Sequence, residues 1–168
     1  MKIVPEKLKM GDEIRIIAPS RSMRVLKEDV IKLATERLEK IGLKVTFGKN
    51  VMKYKDEYFK CATIEERIED LHEAFKDKNV KAVMTVIGGY NVNQILDYID
   101  YKLIQENPKI ICGFSDITAL VNAIYAKTKV ITYLGVQFFS FGMKYGFDYS
   151  MEYFKKMFFE NKKIEVST

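Results

Sequence analysis

Gly113-Phe114-Ser115-Asp116 follows a short apolar run and precedes a helical pattern. A serine there stands where a strand would hand the chain to a helix N-terminus. The helix dipole at such a point favours negative charge, both on the hydroxyl and on an oxyanion formed when it attacks a carbonyl. Gly113, two residues before the serine, reads as the residue that lets the backbone turn tightly, in the manner of a nucleophile elbow. The G-x-S-x-G form is not completed, because position 117 is Ile. The plain alternative is that Ser115 or Asp116 only caps the helix.

A second turn, Gly88-Gly89-Tyr90-Asn91, ends another apolar run. Residues without a Cβ let backbone approach a ligand and aim N–H groups into a cleft, although an ordinary strand-to-helix turn uses the same residues. A nucleotide-phosphate loop is disfavoured, since neither G-x-G-x-x-G nor a Walker lysine pattern is present. Beside a serine, this turn suggests acyl transfer, with N–H groups from Gly88 or Gly89 and from Asp116 forming an oxyanion hole. The base is the difficulty, because a neutral serine needs a partner to take its proton. The single histidine, His72, falls inside a helical pattern, four residues after Ile68 and next to Leu71, and reads as structural. The chain by itself is expected to lack a base.

The elements that must position these turns alternate between strand and helix, the pattern of an α/β domain with a mainly parallel, doubly wound sheet. Strands are expected at Ile14–Ala18, Lys44–Phe47, Val80–Ile87, Lys109–Cys112 and Val130–Leu134. Between them, Val30, Ala34, Leu38 and Ile41 predict one helix, ended by Gly42; Ile64, Ile68, Leu71 and Phe75 predict another, opened by a Thr63/Glu66 capping box. Val92, Ile95, Leu96 and Ile99 sketch a third, and Ile117, Leu120, Val121 and Ile124 a fourth. Residues 135–149 read as a glycine- and aromatic-rich connection, and Met151, Phe154 and Phe158 as a final helix. The stretch from Gly48 to Ala62 is polar and aromatic, and longer than most loops of compact domains, which marks it as a functional candidate.

Composition narrows the function classes. The 168 residues, 48% apolar and 30% charged, suit one folded domain. The net charge of +5 is modest and the lysines are scattered among acids, which disfavours a nucleic-acid partner. Apolar runs are too short to cross a bilayer, and residues 1–10 carry no signal-peptide core, so a cytoplasmic protein without a membrane partner is expected. Cys61 and Cys112 form no metal-binding pattern and read as reduced thiols.

Taken in order, several blocks resemble the N-terminal domain of the LD-carboxypeptidase family of serine peptidases, which includes microcin C self-immunity peptidases. They are Leu8-Lys9-Met10-Gly11-Asp12 with Ile16-Ile17-Ala18-Pro19-Ser20, Glu65-Glu66-Arg67 through Asp70-Leu71-His72-Glu73-Ala74-Phe75, and Gly88-Gly89-Tyr90-Asn91. Further on come Gln94-Ile95-Leu96-Asp97-Tyr98-Ile99-Asp100-Tyr101, Asn107-Pro108-Lys109 and Gly113-Phe114-Ser115-Asp116-Ile117-Thr118-Ala119-Leu120. Phe139-Ser140-Phe141-Gly142-Met143 looks more like the microcin-immunity branch than the murein-recycling branch.

The resemblance implies a flavodoxin-like domain over residues 1–168, the N-terminal part of a two-domain enzyme, with residues 160–168 leading toward a C-terminal domain that this chain lacks. It implies a hydrolase of an amide bond beside a free carboxylate or acyl-sulfamoyl group, in a murein peptide or peptide-nucleotide conjugate, with no metal or cofactor. Ser115 falls on the family's nucleophile, and Asp116 with Gly88 and Gly89 on its oxyanion hole, while the Glu and His of the triad belong to the missing domain. Ile87, where many members have Arg, and Leu134-Gly135-Val136, in place of a polar residue followed by Gly-Pro, depart from the pattern and bear on substrate preference. A chain without its partner domain is expected to be nearly inactive and to expose an apolar face able to pair with that domain or with a second copy as a homodimer. Phe138, Phe139 and Phe141 are the candidates for that face, with buried core as the alternative. A non-catalytic binding or interaction module on the same fold is the other functional reading.

Overall fold

Alternation along the short apolar runs decides which way each side chain faces. In β3 (Val80–Thr85), Ala82 and Met84 join the core on one side of the sheet and Val83 the core on the other; in β4 (Ile110–Gly113), Ile110 and Cys112 oppose Ile111 in the same way. Strands apolar on both faces need helices on both sides. The computed structural model, in which residues 1–160 are described, meets that need. Five parallel strands, β1 (Glu13–Ile17), β2 (Lys44–Phe47), β3, β4 and β5 (Tyr133–Leu134), lie in the order β2-β1-β3-β4-β5. Helices α1 (Glu28–Lys40), α5 (Phe138–Phe141) and α6 (Asp148–Phe159) pack on one face, and α2 (Ile64–Lys76), α3 (Tyr101–Glu106) and α4 (Ile117–Thr128) on the other. This is the flavodoxin-like winding, whose direction reverses between β1 and β3, where such sheets open a crevice at the strand carboxyl ends.

Register brings those ends level. Ile17 pairs with Thr85 and Met84 with Cys112, so β1, β3 and β4 finish side by side and their following loops meet. Helix punctuation follows the expected chemistry. Thr63 and Glu66 form the reciprocal capping box of α2, and Gly42, at φ +92°, closes α1 in the left-handed region where a side chain would be strained.

Elsewhere the structure departs from the sequence expectation. Residues Val92–Tyr98 wind as a 3₁₀ helix, and a separate helix, α3, starts after Asp100, whose carboxylate accepts from the Leu103 N–H at 2.9 Å. Val92 and Ile95, three apart, face the core in either winding, so their spacing does not choose between them. Only Tyr133 and Leu134 of the expected fifth strand pair with β4, because Val130 instead bridges Ile3 near the chain start. Phe138 and Phe141 are core residues on the short helix α5, with no exposed surface, and only Phe139 of that trio reaches solvent. The expected final helix is α6, while the expected linker beyond Glu160 lies outside the described residues.

The long connection from Gly48 to Ala62 is tied down rather than free. The Asn50 N–H donates to both Asp70 carboxylate oxygens, at 3.0 and 3.1 Å, and its side-chain amide to the Glu66 carbonyl at 3.0 Å, while Val51, Cys61 and Ala62 are buried. Burial pushes the Asp70 carboxyl up to about 6. Among the described residues no helix is long and apolar enough to cross a membrane, and no cluster of three His, Cys, Asp or Glu is placed to hold a metal.

Candidate active site

Ser115 is the hinge between β4 and α4. It adopts φ +63°, while Asp116 is already helical at φ −52° and ψ −36°. The left-handed region costs a non-glycine residue about 1–2 kcal/mol, and such strain persists only where the surroundings impose it. Its effect is to lift the Ser115 side chain into solvent at the start of α4. The role expected of Gly113 needs correction on this point. The unusual turn is carried by Ser115 itself, and Gly113 is required because a Cβ there would stand 2.4 Å from Thr85 Oγ1 and 2.7 Å from Ile117 Cγ2. A close fit of β4 against β3 and α4, rather than backbone freedom, selects that glycine.

Of the paired glycines, Gly88 meets Ser115 directly and Gly89 meets the loop after β1. A Cβ on Gly88 would lie 3.0 Å from Ser115 Cβ, 3.2 Å from its Oγ and 3.3 Å from the Asp116 nitrogen. A Cβ on Gly89 would lie 2.3 Å from Ser20 Oγ and 3.0 Å from Arg21 Cγ. Neither glycine has positive φ, so close approach explains both. The Gly88 carbonyl accepts from Arg21 Nε at 2.8 Å. Among the described residues, nothing accepts a hydrogen bond from the N–H of Gly88, Gly89 or Asp116. Gly88 and the Asp116 nitrogen border an exposed hydroxyl, and free donors at such a place are chemically able to stabilise an oxyanion next to a nucleophile.

A polar network under this surface, which sequence reasoning missed, joins the loops after β1, β3 and β4. The Asp116 carboxylate Oδ2 accepts from Ser20 Oγ at 2.7 Å and from the N–H groups of Asn91 and Val92, both at 3.0 Å. It therefore caps the 3₁₀ helix that follows the glycine turn, although it comes from a different loop. Arg67, 3% exposed, donates from Nη1 to the carbonyls of Pro19 at 3.1 Å and Asn91 at 3.2 Å, and from Nη2 to Gln94 Oε1 at 2.7 Å. Burial pulls the Arg67 guanidinium below its ordinary value, opposed by the charge of Asp116 among others. Asn91 completes the layer, its amide donating to Cys61 Sγ at 3.0 Å and its oxygen 3.0 Å from Ser20 Oγ. One signal for Arg67 was present: it stands three after Ile64 and four before Leu71, on the buried stripe of α2.

His72, Cys112, Leu134 and Gly135 make no hydrogen bond to this network among the described residues. His72 is about 13 Å along α2 from the Thr63 cap, and its Nε2 accepts from the Asp100 N–H at 2.9 Å. Burial lowers its pKa, so it holds the start of α3 as a neutral imidazole. Cys112 is buried on β4, its thiol pushed up to about 12 by desolvation, which leaves it unreactive. Leu134 is exposed, and a Cβ at Gly135 would be 3.3 Å from Cys112 Sγ.

Comparison with known proteins places this geometry in context. Residues 14–135 match the model of the LD-carboxypeptidase N-terminal domain. An MccF-like protein from Bacillus anthracis superposes with a TM-score of 0.91 at 49% identity, over 95% of this chain and 48% of that one. Microcin C7 self-immunity protein MccF of Escherichia coli is 37% identical over 128 residues, which is 76% of this chain and 37% of its own length. A Bacillus subtilis protein named "Probable murein peptide carboxypeptidase" is 40% identical over 131 residues, 78% of this chain and 40% of its own. The chain spans less than half the length of the curated relatives it matches.

Proposed function

This chain belongs to the family of LD-carboxypeptidase N-terminal domains, and from that premise we propose that it supplies the nucleophile and oxyanion donors of a serine carboxypeptidase. Ser115 attacks the carbonyl of an amide bond next to a free carboxylate or acyl-sulfamoyl group. The N–H groups of Asp116 and of the Gly88-Gly89 turn hold the oxygen as it gains charge. The observation that carries this reading is the exposed Ser115 hydroxyl on a left-handed elbow, in contact with a glycine turn whose N–H donors, like that of Asp116, have no acceptor among the described residues.

The base comes from outside the chain. With His72 committed to the Asp100 N–H, no imidazole is left to take the serine proton. A Glu and a His from the C-terminal half that longer relatives possess would complete the triad, and a murein peptide or peptide-nucleotide conjugate is the substrate class. Tyr90, Phe114 and Leu134, all exposed around the strand carboxyl ends, form part of the face that this half covers and that a second copy would compete for. The two cysteines are buried free thiols, which suits a reducing cytoplasmic setting.

Complementation tests the reading. Mixing the chain with the C-terminal half of the Bacillus subtilis relative should yield hydrolysis of a murein tetrapeptide or an aminoacyl-sulfamoyl nucleoside, abolished by Ser115→Ala. Hydrolysis indifferent to that substitution would overturn it. An assembly that binds substrate but never acylates Ser115 would favour a non-catalytic binding module.

A further inference from the structure

The Gly88-Gly89 peptide is oriented from behind by a charged side chain that the family match assigns no role. Arg21 Nε donates to the Gly88 carbonyl at 2.8 Å. A trans peptide sets its N–H opposite its carbonyl, so a clamp on the Gly88 oxygen turns the Gly89 N–H away from Arg21. The Gly88 Cα lies beside Ser115, as the 3.2 Å approach of its absent Cβ to Ser115 Oγ shows. Arg21 Cγ and Ser20 Oγ pack where a Gly89 Cβ would stand, at 3.0 and 2.3 Å, so the far end of the peptide is fixed as well.

We propose that Arg21 is a positioning residue for the oxyanion hole, aiming and polarising the Gly89 N–H through the carbonyl on the other side of the peptide. The proposal rests on the Ser115 reading above. A cation on the carbonyl of a peptide draws electron density from its nitrogen and strengthens the N–H as a donor, as hydrogen bonds in series strengthen one another. Among the described residues no carboxylate pairs with Arg21, so its charge is not spent elsewhere in the fold. Among the described residues Arg21 makes no hydrogen bond to Ser115; it acts through the peptide.

Two measurements on the chain itself test this, with Arg24→Met as the control, since Arg24 is exposed and lies over the Tyr54 ring. The first is the Gly89 amide resonance in ¹H–¹⁵N spectra. Arg21→Met should move it while leaving residues of α2 and α4 in place, and Arg21→Lys should move it less. An unmoved Gly89 resonance overturns the proposal. The second is the rate at which a fluorophosphonate labels Ser115 at alkaline pH, where hydroxide substitutes for the missing base. Arg21→Met should slow it by about 10-fold or more, the scale of a weakened oxyanion donor, with Arg21→Lys recovering part and Arg24→Met unchanged. Equal rates in wild type and Arg21→Met overturn the proposal and leave the Ser115 reading intact. Labelling that persists in Ser115→Ala sinks the Ser115 reading instead, and the Gly89 resonance still decides what Arg21 does to the peptide.

Discussion

Replacing Asp116 by alanine removes one oxygen that holds three loops together, and the expected cost follows from its partners. Oδ2 accepts from Ser20 Oγ at 2.7 Å and from the Asn91 and Val92 N–H groups at 3.0 Å. Ser20, Asn91 and Val92 are at most 1% exposed, so water cannot freely take over. A hydrogen bond to an ionised acceptor contributes about 1.5–3 kcal/mol, and a buried donor left unpaired costs about 1–3 kcal/mol. Donors sharing one oxygen are not additive, so Asp116→Ala should cost about 3 kcal/mol. Asp116→Asn keeps an acceptor in place and loses only the charge assistance, for about 1 kcal/mol. Urea unfolding reads both. With m near 2 kcal/mol/M for a chain of this size, the midpoint should fall by about 1.5 M for alanine and about 0.5 M for asparagine. A shift below about 0.3 M for alanine, or an equal shift for the two variants, would refute the argument that this carboxylate joins the site loops.

Ser115→Gly should raise stability by about 0.5–1 kcal/mol relative to Ser115→Ala, because only glycine adopts φ +63° without strain; equal urea midpoints would mean the elbow stores none. Gly113→Ala should destabilise by about 2–3 kcal/mol, since its Cβ would enter the space of buried Thr85 and Ile117. Gly88→Ala meets the exposed Ser115 instead, so it should cost less than about 1 kcal/mol yet slow fluorophosphonate labelling at least 10-fold, and a Gly88→Ala protein that labels normally would place the turn outside the chemistry. Asp70 should titrate near 6 by NMR, above its ordinary 3.8. Its folded-state pKa is raised, so its contribution is fully present below about pH 4 and lost as pH rises through about 6, up to about 3 kcal/mol. Glu13 and Glu66, both held down to about 2, lose stability in the opposite direction below about 4.5. Asp70→Asn should therefore flatten the stability slope between pH 4 and 6 alone, and an unchanged slope would contradict the assignment.

Local chemistry made part of this protein legible without coordinates. The Thr63/Glu66 capping box, the glycine that ends α1 and the three- and four-residue apolar steps of α1 and α2 encode structure within a turn or two of themselves, and each formed as its pattern implied. Short apolar runs alternating with helical patterns called for a mainly parallel sheet, and the two core clusters cover it on both faces. The strand–turn–helix around Ser115 was legible because its parts are contiguous, although that local pattern also fits a plain helix cap. Where a pattern fits two windings, as at Val92 and Ile95, or where aromatic residues serve core and surface equally, as at Phe138 and Phe141, sequence left the choice open. The site depends on strand order, which places β1 between β2 and β3 and so seats Ser20, Gly88 and Ser115 together from distant parts of the chain. The carboxylate of Asp116, the guanidinium of Arg67 and the Nε of Arg21 acquire their partners only through that meeting. Side-chain periodicity reports which face of an element is buried, but not which other element lies against it, and these three residues take their roles from the second.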